Sequence, residues 1–308
     1  MMGVDERKQV RGRFAPSPSG RMHLGNVWSC LLAWLSARSV GGGMVLRLED
    51  LDPDRCRQEY CDQVMRDLEW LGLDWDGVPM YQSKRTQAYE EAFGVLERQG
   101  LIYPCYCTRA ERMAASAPHA SDGSLLYDGR CRRLTQEERE EFSKSRRCAW
   151  RVEVPEKVIA FRDLCQGEYS EELKTACGDF ILRRSDGVYA YQLAVVVDDA
   201  EMGVTQVVRG SDLLTSAPRQ LWLQERLGFA HPEYGHVPLL LSADGRRLAK
   251  RDRDKELGQL MEEYTAPQIV GKLAFAAGLL EKEQAITPQE LLPLFDWEKI
   301  PQKDIYLK

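Results

Sequence analysis

The segment that most restricts how this chain can fold is R-F-A-P-S-P-S-G-R-M-H-L-G-N, residues 13–26, where an apolar strand runs through a Pro-rich turn directly into an apolar helix. The strand is expected over residues 10–14. The helix is expected over residues 24–38, rich in Leu, Trp and Ala and stopped by Gly41-Gly42-Gly43. A strand over 44–48, an amphipathic helix over 57–71, a strand over 78–82 and a helix over 85–99 follow. Strand and helix alternating in this way predict an α/β fold with a parallel sheet. Such sheets bind ligands beyond the carboxyl ends of their strands, which points to the first turn.

That alternation breaks between residues 102 and 133, where Pro, Gly, Ser and closely spaced Cys predict an inserted lobe. A charged helix near 136–144 and strands over 149–154 and 158–163 continue it. A second α/β part is expected next, with strands over 180–183, 189–197 and 205–208 and a helix over 217–227. The main sheet is then discontinuous in sequence. An apolar strand is expected over 237–241, and after residue 250 the chain reads as helical, with Pro267 and Thr287-Pro288 at helix starts. The expected division is residues 1–100 and 176–252 for the two halves of the catalytic domain, 101–175 for the insert and 253–308 for a helical C-terminal segment.

Charge narrows the functional classes. Lys and Arg number 42 against 48 Asp and Glu, a net charge of −6, the wrong sign for nonspecific coating of nucleic acid, so any RNA contact needs a local basic patch. No apolar run approaches the roughly 20 residues that cross a bilayer, and residues 1–10 lack the apolar stretch of an export signal, so a cytoplasmic protein without membrane contact is expected. Nine cysteines, an odd number, then favour a metal site or buried thiols over a disulfide framework.

The turn itself has phosphate-binding chemistry. A helix N-terminus offers unpaired N–H groups and a positive dipole end, Gly25 lets a nucleotide approach the backbone, and His23 can donate to a phosphate oxygen. Taken alone, a Pro-rich connector with a helix-capping His fits as well. A second motif decides between them. G-R-R-L-A-K-R-D, residues 245–252, puts Arg246, Arg247, Lys250 and Arg251 on one short loop that invites an anion.

Together, H-L-G-N (His23, Leu24, Gly25, Asn26) and R-L-A-K-R (Arg247, Leu248, Ala249, Lys250, Arg251) resemble the "HIGH" and "KMSKS" signatures of class I aminoacyl-tRNA synthetases. Asn26 stands for the second His, and of the second signature's lysines only Lys250 is kept. R-F-A-P-S-P-S-G, L-R-L-E-D-L-D (residues 46–52), Y-Q-S-K-R (81–85) and V-V-R-G-S-D-L-L-T-S-A-P-R-Q (207–220) are similar to the glutamyl branch of that class. A full glutamyl-tRNA synthetase continues into a large helical anticodon-binding region, for which 308 residues are too few. The better resemblance is therefore to the shorter glutamyl-Q tRNA(Asp) synthetase family.

That resemblance implies a Rossmann-like sheet, ATP with Mg²⁺, L-glutamate, and transfer of glutamate to the queuosine base in the anticodon loop of tRNA(Asp); a monomer is expected. It gives His23 and Lys250 catalytic roles and puts ATP on His23, Gly25, Asn26 and Lys250, with Pro16 part of the HIGH-like element. Glutamate would be bound by Arg13, Phe14, Ala15, Pro16, Ser17, Glu49, Tyr191 and Arg209. Arginines suit a carboxylate because their fork grips it bidentately. Glu49 would face the ammonium and Tyr191 would supply a hydroxyl. Outside the resemblance, Glu49 reads as a surface partner of Arg47 or Arg55, and Tyr191 as core. The competing functions are a minimal synthetase charging tRNA(Glu) and a non-catalytic RNA-binding paralogue.

C-x-C at Cys105 and Cys107, followed by Y-x₃-C at Tyr127 and Cys131, offers three thiolates, a set suited to Zn²⁺. The fourth ligand is either His119 or Tyr127, and the family resemblance implies Tyr127. The ion's expected role is to shape the lobe.

Overall fold

The computed structural model describes residues 9–108, 111, 126–242, 245 and 256–306. Strand β1 (Arg11–Phe14) pairs in parallel with β2 (Gly43–Leu48) after helix α1 (Leu24–Arg38), and β2 pairs with β3 (Met80–Tyr81) after α2 (Gln58–Trp70). Helix α3 (Thr86–Arg98) closes this half. Only two residues of the strand expected over 78–82 pair in the sheet, and Val78, 90% exposed, lies outside it.

The next elements are β4 (Ile102–Cys105), α4 (Gln136–Ser145), β5 (Ala149–Val152), β6 (Val158–Asp163), β7 (Gly167–Glu172), the single turn α5 (Leu173–Ala176) and β8 (Phe180–Arg183). They do not form one detached lobe. β4, β5 and β8 make an antiparallel sheet, whereas the β6–β7 hairpin joins the main sheet. β8, assigned above to the second catalytic half, thus pairs with β5 of the insert.

A correction falls on residues 189–197, expected as a strand. The run Y-Q-L-A-V-V-V-D-D-A-E is helix α6 (Tyr191–Glu201). Its apolar run is buried continuously from Leu193 to Val197, and such a short run reads the same whether it is a buried strand or a helix. Packing decides, since α6 lies against α3 and against α7 (Ala217–Leu227).

The main sheet resumes with β9 (Gln206–Gly210) and β10 (Glu233–Val237), parallel to each other, and β6 lies parallel to β10 on the far side. The strand expected over 237–241 is divided at Pro238, which has no N–H to give a ladder; β10 ends at Val237 and β11 (Leu240–Leu241) begins anew. The two half-sheets meet at β1 and β9, where Thr205 N–H donates to Arg11 O at 3.0 Å and Arg11 N–H to Thr205 Oγ1 at 2.8 Å. The strand succession β3-β2-β1-β9-β10-β6-β7 turns back between β1 and β9. In open parallel sheets the crevice at that reversal takes the ligand.

The final stretch holds α8 (Leu257–Glu263), α9 (Ala266–Ala276), the turn α10 (Pro288–Leu291) and β12 (Ile305–Tyr306). Ile269, Val270, Leu273 and Ala274 of α9 share a core with α1 and β2, so this segment packs on the first half-sheet. Two contacts bring it to the crevice. β12 pairs in parallel with β11, and Glu256 bridges His23 while Leu257 N–H donates to Met22 O at 2.9 Å. Among the described residues no helix is long and apolar enough to cross a membrane.

Candidate active site

Beyond the carboxyl ends of β1 and β9 lies a cavity of about 720 Å³. It is lined by Arg13, Phe14, Ala15, Pro16, Ser17, His23, Gly25, Asn26, Glu49, Tyr191 and Arg209. Each expected glutamate- and ATP-site residue outside the second signature lies here, and of the HIGH-like element only Leu24, which packs against the core, does not. Arg247, Leu248, Ala249, Lys250 and Arg251 lie outside the described residues, as does His119. The two ends of that loop are nevertheless at the site, since Leu240 lines the cavity and Glu256 bridges His23.

The phosphate end is made by the start of α1. His23 takes the N-cap position with extended backbone, and its N–H donates to Asn26 Oδ1 at 3.2 Å, so the residue that replaces the second His of the signature closes the first helical turn. A Cβ on Gly25 would come within 3.1 Å of His23 Nδ1 and Cε1. Glycine there leaves room for the imidazole as well as for a ligand. Trp28, one turn further along α1, donates from Nε1 to Pro238 O at 2.8 Å and ties this helix to the strand leading into the second signature.

The other end is a buried charged cluster. Arg13 is 5% exposed, donates to Val208 O at 2.9 Å and stands 3.8 Å from Asp199. Burial lowers the pKa of its guanidinium, with Asp199 acting against that. Arg209 donates to Gln220 Oε1 at 2.8 Å, to Leu213 O at 3.2 Å and to the Tyr191 hydroxyl at 3.4 Å. Glu49 accepts from Arg47 at 3.0 Å; burial raises its pKa, and Arg47 opposes the rise. The surface pairing of Glu49 with Arg47 read above is corrected in one respect: the pair exists, but Arg47 is wholly buried.

Arg47 is the main residue that sequence reasoning missed. Besides Glu49 it reaches Asp199 at 2.5 Å and Asp198 at 4.0 Å, and Asp198 also accepts from Gln82, Arg85 and Tyr89. One guanidinium thus holds three carboxylates behind the cavity. The signal was present in Y-Q-L-A-V-V-V-D-D, because seven and eight residues after Tyr191 fall on its own face of a helix. Read as a strand, the same spacing puts Asp198 on the face opposite Tyr191. Asp163 and His236 were missed too, and no local pattern marks them, whereas Gln220 ends the 207–220 motif without having been given a role.

Chemically, two arginines and a hydroxyl facing a carboxylate carrier, with Glu49 opposite, can hold an amino acid by its charged groups. The helix start lining the same cavity can hold phosphate. Both substrates of an adenylation would share one cavity.

The Cys cluster is separate from this cavity. The Sγ atoms of Cys105, Cys107 and Cys131 lie within 4.8 Å of one another, and Cys105 and Cys131 are buried. The Tyr127 hydroxyl sits 3.6 Å from Cys105 Sγ and 3.7 Å from Cys107 Sγ and accepts the Cys131 N–H at 3.0 Å. A hydrogen bond from Cys131, with Arg151 helping, draws Cys105 well below an ordinary thiol's pKa. Three convergent thiols and a phenol fit a soft tetrahedral cation.

A parallel sheet open at a β1/β9 reversal, with a helix start and a buried charged cluster lining that opening, has the layout of a nucleotide-binding α/β catalytic core. The family model of class I tRNA synthetases (E and Q), catalytic domain, matches residues 9–301. Proteins named glutamyl-Q tRNA(Asp) synthetase from Nitratidesulfovibrio vulgaris and Symbiobacterium thermophilum are 49% and 48% identical over 307 residues, covering 96% of this chain and 95% and 94% of theirs. The chain belongs to the class I glutamyl and glutaminyl synthetase family and, within it, to the glutamyl-Q tRNA(Asp) synthetases. The solved glutamate-tRNA synthetase of Elizabethkingia anophelis superposes with a TM-score of 0.83 at 26% identity, over 98% of this chain and 68% of that one.

Proposed function

We propose that the chain activates L-glutamate with ATP and transfers it to the queuosine base in the anticodon loop of tRNA(Asp). An oxygen of the glutamate α-carboxylate attacks the α-phosphorus in line, the new P–O bond forms as the bond to pyrophosphate breaks, and glutamyl-adenylate results. Negative charge grows on phosphoryl oxygens during this step, so fixed donors and cations are the useful groups. His23 and Lys250 serve the phosphates, with Gly25 and Asn26 shaping the helix start. Arg13 and Arg209 hold the side-chain carboxylate of glutamate, Glu49 faces its ammonium, and Tyr191 and Ser17 add hydroxyls. Mg²⁺ enters with ATP. The observation that carries the reading is the convergence of Arg13, Glu49, Tyr191 and Arg209 with the His23 helix start in one cavity.

The test is a pair of assays on the whole chain. Pyrophosphate exchange into ATP should depend on glutamate, and labelled glutamate should pass to queuosine-containing tRNA(Asp) and not to tRNA(Glu). Efficient charging of tRNA(Glu) would overturn the assignment. The names of the relatives favour tRNA(Asp).

In the same reading, Cys105, Cys107, Tyr127 and Cys131 hold one structural Zn²⁺, and the enzyme acts as a cytoplasmic monomer. Metal analysis of purified protein should return about one zinc per chain, and Cys131→Ser should lower that content by removing a soft ligand. A stably folded wild type free of metal after purification without chelator would exclude the site.

A further inference from the structure

Arg209 is held from behind by a buried chain that ends in the stretch expected as an insert. Arg209 and His236 are register partners on the parallel strands β9 and β10, and β6 brings Asp163 beside Tyr234. Arg209 Nε donates to His236 Nε2 at 3.0 Å, and His236 Nδ1 lies 2.6 Å from Asp163 Oδ2. An arginine Nε can only donate, so Nε2 must be bare and the ring proton must sit on Nδ1, facing the carboxylate. Asp163 is itself fixed, since its Oδ1 accepts the backbone N–H groups of Cys165 and Gln166 at 2.9 Å and of His236 at 3.0 Å.

Nothing in the chain is open to solvent: Arg209, His236 and Asp163 are 5%, 0% and 2% exposed. Burial, outweighing the pull of Asp163, lowers His236 to about 4, so the ring is neutral near pH 7 and acts as an acceptor. The Tyr234 ring stacks on His236 with centroids 5.8 Å apart and planes 9° apart, and Arg209 lies over the same tyrosine at 5.2 Å. The stack and the two hydrogen bonds together hold the imidazole in this orientation toward Arg209.

We propose that Asp163 and His236 are positioning residues for glutamate recognition: Asp163 sets the imidazole tautomer, and the bare Nε2 of that tautomer aims the Arg209 guanidinium into the amino-acid pocket. This rests on the reading that Arg209 holds glutamate. It makes the β6–β7 hairpin a contributor to substrate selection although none of its residues lines the cavity.

The test uses an isosteric change. In Asp163→Asn the amide oxygen keeps the Oδ1 place, where three backbone N–H groups need an acceptor, so the NH₂ group faces His236 Nδ1. Nδ1 must then accept, the proton moves to Nε2, and there it meets the Arg209 Nε–H, donor against donor. In glutamate-dependent pyrophosphate exchange the glutamate KM should rise about tenfold to a hundredfold, the scale of a broken buried charged hydrogen bond, while the ATP KM stays unchanged. Nitrogen-15 spectra of the His236 ring should show the proton on Nδ1 in the wild type and on Nε2 in the variant.

A second pair covers a variant that fails to fold. His236→Gln can accept from Arg209 at Oε1 and donate to Asp163, so it should keep the glutamate KM near the wild-type value, whereas His236→Leu should raise it about tenfold or more. A wild-type ring protonated on Nε2 would overturn the proposal. So would an unchanged glutamate KM in folded Asp163→Asn or His236→Leu. Arg209→Met separates the two levels. If it leaves the glutamate KM unaltered, the substrate reading of the site fails; if it raises the KM and the relay variants do not, only the relay fails.

Discussion

Replacing His23 with Ala should lower kcat for glutamate-dependent pyrophosphate exchange by about 10²–10³, the usual effect of losing one preorganised donor at a developing anion, or roughly 2.7–4 kcal/mol. The effect belongs in kcat because the charge that His23 meets grows only as the α-phosphorus is attacked. A local role competes with this one, since His23 is also the N-cap of α1. His23→Asn separates the two. Asparagine is a good N-cap and should preserve the helix start, but its shorter side chain cannot bring an imidazole N–H to the phosphate. Both variants should be slow with nearly wild-type melting temperature. Full exchange activity in His23→Asn would remove His23 from the chemistry and leave it a capping residue.

The second large effect is on stability. Arg47→Met should cost about 3–5 kcal/mol in denaturant unfolding, because it takes away the cation shared by Glu49, Asp198 and Asp199 and leaves buried carboxylates without compensation. Asp198 keeps Gln82, Arg85 and Tyr89, and Asp199 keeps Arg13 at 3.8 Å, so the loss should fall hardest on Glu49. Burial already raises the Glu49 pKa, and without Arg47 opposing it the carboxyl would favour its neutral form. The glutamate KM should therefore rise with the loss of stability, because a neutral Glu49 no longer attracts the substrate ammonium. A cost under about 1 kcal/mol would mean that the carboxylates are paired well enough without Arg47. Arg47→Lys should recover little, since a single ammonium cannot reach three carboxylates at once.

Both residues illustrate what kind of information the chain carries locally. His23 belongs to a short run whose turn residues, glycine and helix start all lie within residues 13–26, so its place in a phosphate-binding turn could be read directly. Arg47 sits three residues before Asp50 in an ordinary-looking L-R-L-E-D, and two of its three carboxylate partners, Asp198 and Asp199, lie about 150 residues away. The carboxylates became legible only once residues 191–201 proved helical, and the sequence there is equally good as a strand.

What the sequence by itself determined is the set of elements with strong local causes. β1, α1, β2, α2 and α3 follow from alternating apolar periodicity and glycine stops, and Cys105, Cys107 and Cys131 from close spacing, with Tyr127 added by the family resemblance. The glutamate and ATP residues followed from motif resemblance, and those of them within the described residues line one cavity. What only the tertiary structure decided is how distant segments meet. Thr205 meets Arg11 and so joins the half-sheets, the β6–β7 hairpin lies against β10, α6 forms where a strand was expected, and Asp163, His236 and Arg209 align across three strands. The physical reason is common to all four. Helix starts and turns are fixed by hydrogen bonds between near neighbours, whereas buried charges and strand partners are chosen by which desolvated groups can satisfy one another across the folded core.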